Sequence, residues 1–252
     1  MWRLQEDKSE PIITAEKQIH STHRNCGLQL PKTAIVFFMS SGTKYLSEEY
    51  NAVEMSELFP RFLNRCKIWE SRDHRVCFLD GGRGAPQAAD TVETLAALGV
   101  RSIITVGMLG AFSRDVQIGE IIVPEKAFVE EGTSLHYYTA IEASYPDSSL
   151  HHSASSLLGA KEYPIVSTDA VYRQTFYKEN IWRDQGAVGV DMETSAVFSV
   201  SKYLGLRTVA LLMVSDIHPV KPDEPKWEWS ITKEMRYHLA VQAMRLALKL
   251  PQ

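Results

Sequence analysis

The sequence predicts an α/β protein with a mixed, mostly parallel central sheet flanked by helices on both faces. Three observations carry this expectation: a continuous β-branched and aromatic run at 33–39 with further buried-strand runs at 101–107 and 207–214, amphipathic stretches between them, and glycines at 99 and 205 where those stretches end. Apolar runs without polar alternation mark strands buried on both faces. Their alternation with helical periods marks a parallel sheet.

Taken in order, residues 1–31 read as an irregular N-terminal arm carrying His20 and His23, and 32–252 as one domain. Thr33–Met39 is the first strand, 47–64 a helical stretch, and His74–Leu79 the second strand. The turn Asp80–Pro86 leads into an alanine-rich helix, Gln87–Leu98, which Gly99 ends. Arg101–Gly107 is a strand that Gly107 and Gly110 are expected to break, and Ile118–Val129 is a strand interrupted by Pro124. The stretch 132–160 reads as polar and irregular. A strand at Glu162–Val166, a short helix, a helix opening at Asp191, a strand at Arg207–Val214 and a helix over Ser230–Leu250 complete the chain. The helix from Asp191 places Met192, Ala196, Val197, Val200 and Leu204 at a spacing near 3.6.

At 252 residues the chain has room for one large core. A formal charge of −4 argues against a nucleic-acid footprint. No run approaches the roughly 18 apolar residues that cross a bilayer, and Met1–Lys8 lacks the apolar core of a secretory signal. The three cysteines, Cys26, Cys66 and Cys77, show neither metal-ligand spacing nor a disulfide framework, so a reducing cytoplasm is expected.

Ligands of parallel sheets sit beyond the carboxyl ends of the strands. Gly107, Asp169 and Asp216 fall there, and Asp191 and Glu193 stand at a helix start. Glu193 lies one turn before the buried pair Ala196 and Val197, where a carboxylate needs donors that a diol supplies. As plain structure, both acids are ordinary helix-start residues. Asp216 follows an apolar strand that would favour its protonated form, suited to a leaving base; otherwise it caps a loop. Trp227 and Trp229 would close over a base or simply anchor their segment. The glycine turn at 81–84, with Arg83, either approaches an anion or only turns the chain.

Five ordered stretches, Val106–Ala111, Glu131–Tyr137, Ser167–Arg173, Val190–Glu193 and Val214–Asp216, resemble motifs of the nucleoside phosphorylase superfamily. That superfamily includes uridine phosphorylase, hexameric purine nucleoside phosphorylase, and the methylthioadenosine and AMP nucleosidases. Glu131–Ser134 and Thr168–Arg173 are most similar to the uridine-phosphorylase-like branch, whereas Asp216 is more similar to the purine branch. The resemblance implies the single-domain nucleoside phosphorylase fold and a pentosyltransferase. It would cleave the N-glycosidic bond of a purine-leaning nucleoside with inorganic phosphate as co-substrate, and it implies no other cofactor and no metal. It further implies that Met192 lies against the ribose, Glu193 binds its hydroxyls, Asp216 protonates the base, and Asp191, Asp169 and Arg173 contact the base. A dimer-based homo-oligomer, up to a hexamer, would bring His20 or His23 into a neighbouring site.

The phosphate site departs from the family pattern. The Gly-Asp-Pro-x-Arg loop is replaced by Phe38–Lys44, and Thr105 and Met108 stand where an arginine and a hydroxyl are usual. Gly42, Lys44, Arg83, Thr105, Gly107 and Met108 are the positions from which an anion site would be rebuilt, with Arg173 a further cation. Two alternatives stay open: an N-ribohydrolase using water, and a non-catalytic nucleoside-binding protein on the same fold.

Overall fold

A computed structural model describes residues 9–21, 27–225 and 227–250. Among them the strands are β1 (Thr33–Phe37), β2 (Val53–Glu54), β3 (Ile68–Glu70), β4 (Val76–Asp80), β5 (Ser102–Ala111), β6 (Ile121–Ile122), β7 (Lys126–Glu130), β8 (Ala143–Ser144), β9 (Pro164–Thr168), β10 (Gly189–Asp191) and β11 (Arg207–Ile217). The α-helices are α1 (Ala15–Ile19), α2 (Gly42–Glu49), α3 (Ala85–Ala97), α4 (Ser148–Leu158), α5 (Phe176–Asp184), α6 (Thr194–Tyr203) and α7 (Lys233–Ala247).

The strands form one mixed sheet in the order β2-β3-β4-β1-β5-β10-β9-β7-β8, with β11 on β5 and β6. Side chains of β1 alternate between two cores. Ala34 and Val36 join Val92, Leu95, Val197 and Val200 of α3 and α6. Ile35 and Phe37 join Leu46, Leu150, Leu239 and Ala243 of α2, α4 and α7. Both faces of β1 are therefore covered, which accounts for the absence of polar alternation along it.

One irregularity positions the site. On one edge, β5 pairs with β1 in parallel from Ser102 to Val106, and then with β10 in antiparallel fashion at Gly110 and Ala111. Its other edge carries β11 along almost the whole strand, with a register shift between Val214 and Asp216. Between Val106 and Gly110 the first edge changes partner, and β1 and β10 diverge. A cavity opens there, beyond the carboxyl ends of β1 and β11.

Several expectations need correction. Gly107 and Gly110 do not break β5, because β11 supports the strand through Ala111. The predicted helix at 47–64 is α2, starting at Gly42 and ended by Asn51 in the left-handed region (φ 49°), with β2 and β3 beyond it. The stretch 118–129 forms two short strands, β6 and β7, on either side of Pro124. The irregular 132–160 segment contains α4, whose N-cap Asp147 accepts from the Leu150 N–H at 2.8 Å and whose C-cap is Gly159. The arm is also ordered in part: α1 is capped by Thr14, buries Ile19 and packs on α3. His23 lies outside the described residues.

Candidate active site

The cavity has a volume of about 940 Å³. Phe38, Met39 and Ser40 leave β1 along one wall, and Met108 and Gly110 of β5 lie against it. Met192 and Glu193 follow β10, while Asp216 and His218 follow β11. Trp227, Trp229 and Tyr172 contribute an aromatic rim, and Arg83 and Arg236 contribute guanidinium groups.

Glu193 is held in place from behind. Its Oε1 accepts from the Gly84 N–H at 2.6 Å, at the N-terminus of α3. The glycine turn at 81–84 thus presents an amide to a side chain of this protein, with Arg83 beside it. A fully buried arginine, Arg61, supports the turn from below: it donates to the Asp80 carbonyl at 3.2 Å and to Thr91 Oγ1 at 2.8 Å. Burial raises the Glu193 carboxyl above its ordinary range, and the neighbouring Asp191 raises it further, against the lowering effect of Gly84 and Arg83.

Asp191 lines the cavity and also anchors its neighbours. Its Oδ1 accepts from the Ser167 hydroxyl, and its Oδ2 accepts from the Thr194 N–H at 3.0 Å and the Thr194 hydroxyl. These bonds tie the end of β10 to β9 and to the first turn of α6. Helix α6 begins at Thr194, not at Asp191, and Glu193 occupies its N-cap position without capping it.

Asp216 also differs from expectation. The Ser215 hydroxyl donates to Oδ1, and Oδ2 faces Trp227 Nε1 at 2.5 Å and His218 Nε2 at 3.1 Å. Burial acts to raise its carboxyl, but the bonds from His218, Ser215 and Trp227 outweigh it and hold the group below its ordinary range. The apolar strand does not keep Asp216 protonated; it rests as a carboxylate. His218 stands next to it. His218 Nδ1 faces Glu179 Oε1 at 2.7 Å, so both ring nitrogens face carboxylates. Burial opposes its charge, yet the bonds to Asp216 and Glu179 push its pKa up to about 9.

Gly110 makes room for that ring. A Cβ added there would stand 2.7 Å from His218 Nε2 and 3.3 Å from Asp216 Oδ2. Gly110→Ala is expected to destabilise the protein by about 1–3 kcal/mol and to reduce turnover by displacing the ring. An unchanged thermal midpoint together with unchanged turnover would contradict this seating.

Of the predicted positions, Met192, Glu193, Asp191, Asp216, Arg83 and Met108 line the cavity, whereas Gly42, Lys44, Thr105, Gly107, Asp169, Arg173 and His20 do not. Lys44 is exposed and pairs with Glu48 at 3.8 Å. Gly42 opens α2 against the Phe37 ring, and Gly107 lets Leu212 pack on β5; both glycines serve packing. Thr105 is buried inside β5. Asp169 accepts from the Gly132 N–H at 2.8 Å and pins that turn. Arg173 is exposed, although its neighbours Tyr172 and Gln174 reach the cavity. His20 is the exposed C-cap of α1, and α1 borders a second cavity of about 720 Å³.

Sequence reasoning missed Glu179, His218 and Arg236. Arg236 donates to the Ser40 hydroxyl at 3.0 Å, and its Nε is buried without a partner. A signal for it existed: Arg236 shares a helical stripe with Leu239, Ala240 and Ala243, so it points inward.

Residues 32–248 match the family model described as the Phosphorylase superfamily. The chain belongs to that superfamily. It is similar to the guanosine phosphorylase of Halorubrum lacusprofundi, 32% identical over 154 residues that cover 58% of this chain and 62% of that one. It is also similar to a DeoD-type purine nucleoside phosphorylase of Limosilactobacillus reuteri, 24% identical over 59% of this chain and 66% of that one. The uridine phosphorylase of Haemophilus influenzae is 28% identical over 57% of this chain and 65% of that one. The chain thus spans 62 to 66% of the length of these curated relatives. Among solved structures, an AMP nucleosidase from Bacteroides thetaiotaomicron shares the fold, with a TM-score of 0.67 and 21% identity over 87% of this chain and 90% of that one. No helix among the described residues is long and apolar enough to cross a membrane.

Proposed function

We infer that the protein cleaves the N-glycosidic bond of a nucleoside, leaning to purines, with phosphate as acceptor, giving free base and ribose 1-phosphate. The observation that carries this reading is a single cavity holding both Glu193, a buried carboxylate with one oxygen anchored, and Asp216 in its polar cage. In this reading Glu193 accepts from the ribose hydroxyls and Met192 packs on the sugar. Phosphate meets Ser40, Arg83 and Arg236 and attacks the anomeric carbon as positive charge develops on the sugar. The Asp216 end of the cavity stabilises the departing base, and preorganised charge supplies most of the acceleration. The relatives named as guanosine and purine nucleoside phosphorylases support the purine lean. A cytoplasmic, dimer-based homo-oligomer belongs to the same proposal. Tyr172, 96% exposed at the cavity mouth, is a surface that a second subunit would cover.

A second reading, hydrolysis, is favoured by Lys44 and Arg173 lying outside the cavity. Chromatography of bases released from purine and pyrimidine nucleosides, with and without phosphate, separates the two. Release that requires phosphate supports the first reading, and release without it the second. No release from any nucleoside would leave a binding protein.

Arg236→Ala is expected to raise KM for phosphate about 10- to 100-fold, the loss of one charged hydrogen-bonding group, with little change in KM for the nucleoside. Saturation curves in each substrate check this. An unmoved phosphate KM would remove Arg236 from the acceptor site.

A further inference from the structure

We propose that Glu179 and His218 form a proton relay behind Asp216, with His218 supplying the proton that the leaving base takes up and Glu179 holding the imidazole charged and oriented. This rests on the reading of the cavity as a nucleoside-cleaving site.

The geometry leaves the ring little choice. Nδ1 faces Glu179 at 2.7 Å and Nε2 faces Asp216 at 3.1 Å, and the imidazole side chain is only 15% exposed. A neutral imidazole has one N–H and would set a ring lone pair against one of the carboxylates. The imidazolium donates to both. Each neighbour is fixed in turn: Glu179 stands on α5, which Thr175 caps, and Asp216 is gripped by Ser215 and Trp227. Among the described residues, the charged groups acting on the ring are these two carboxylates, from α5 and β11, and the ring lies against Gly110 of β5.

As the C1′–N bond of the nucleoside breaks, its electron pair stays on the base and phosphate oxygen bonds to C1′. The Nε2–H bond of His218 breaks as an O–H bond forms on Asp216. That O–H bond then breaks as an N–H bond forms on the base. His218 ends neutral, keeping its Nδ1–H on Glu179, and regains a proton from water after the base leaves. Asp216 begins and ends as a carboxylate, consistent with the cage that keeps it ionised.

Glu179 is a positioning residue in this scheme, so its test must read more than lost rate. The profile of kcat/KM against pH, for a nucleoside whose base does not titrate in the range, is measured for the full-length wild type, Glu179→Gln and Glu179→Asp. The His218 imidazole is titrated by NMR in the wild type, assigned by the signal lost in His218→Gln. A histidine pKa raised in the folded protein means the charged form persists to higher pH, so activity is expected to fall as pH rises through about 9. In Glu179→Gln that limb should move acidward by about one unit or more, and Glu179→Asp should restore it in part. A limb that stays in place while the rate falls uniformly overturns the relay, as does wild-type imidazole titration at the ordinary value of 6.5. Base release with an unmoved limb overturns the relay alone. Absence of base release by the wild type overturns the reading of the site and the relay with it.

Discussion

Asp216→Asn is expected to lower kcat for purine nucleosides by about 10²- to 10⁴-fold, the usual contribution of proton transfer in a transition state, with a much smaller change in KM. The amide keeps the shape of the side chain but cannot pass a proton or carry the charge that His218 and Trp227 address. Those interactions matter most while charge builds on the base, so their loss should appear in kcat. Steady-state kinetics with chromatographic detection of the base check this. A normal kcat in the variant would remove Asp216 from the chemistry.

Glu193→Ala is expected to behave differently, with KM rising and kcat falling together. The carboxyl group is 7% exposed, and its Oε1 is fixed by the Gly84 amide, so it presents a defined acceptor to the cavity, which the proposed function assigns to the ribose hydroxyls. Two hydrogen bonds to a diol contribute about 1–3 kcal/mol, or roughly 5- to 100-fold in kcat/KM. Those bonds exist before and during bond cleavage, so ground state and transition state both lose them. Comparing ribosides with 2′-deoxyribosides sharpens the test. The wild type should discriminate between them, and the variant should lose most of that discrimination. Unchanged kinetics on ribosides would sink the ribose assignment.

The α/β architecture was legible because its strands are buried on both faces. Ala34, Ile35, Val36 and Phe37 alternate between the two cores, so the run between them is apolar throughout. Met192, Glu193 and Asp216 were legible because each sits where an apolar element ends beside the cavity. The anchoring of Asp191 by Ser167 and Thr194 was not legible, because its place at the end of β10 suits anchors and ligands alike and those partners meet it only in the folded chain. Glu179 looks like an ordinary first-turn helix acid; its pairing with His218, 39 positions away, exists only in the folded chain, where α5 meets the residue that follows β11. Gln174 lines the cavity and its neighbour Arg173 does not, a one-residue rotation in a short turn that motif reading cannot see. Which cations reach the cavity was partly hidden for a related reason: Arg83 lines it as expected, but Lys44 does not. Lys44 lies near β1 in sequence, but α2 carries it outward, whereas Arg236 arrives from the far end of the chain and reaches Ser40.

The most direct test of the central claim is phosphorus NMR of the protein mixed with a purine nucleoside and inorganic phosphate. Conversion of phosphate into ribose 1-phosphate in step with free base, abolished in Asp216→Asn and Glu193→Ala, is the result predicted here. Free base appearing while the phosphate signal stays unchanged, or turnover that survives both substitutions, would contradict it.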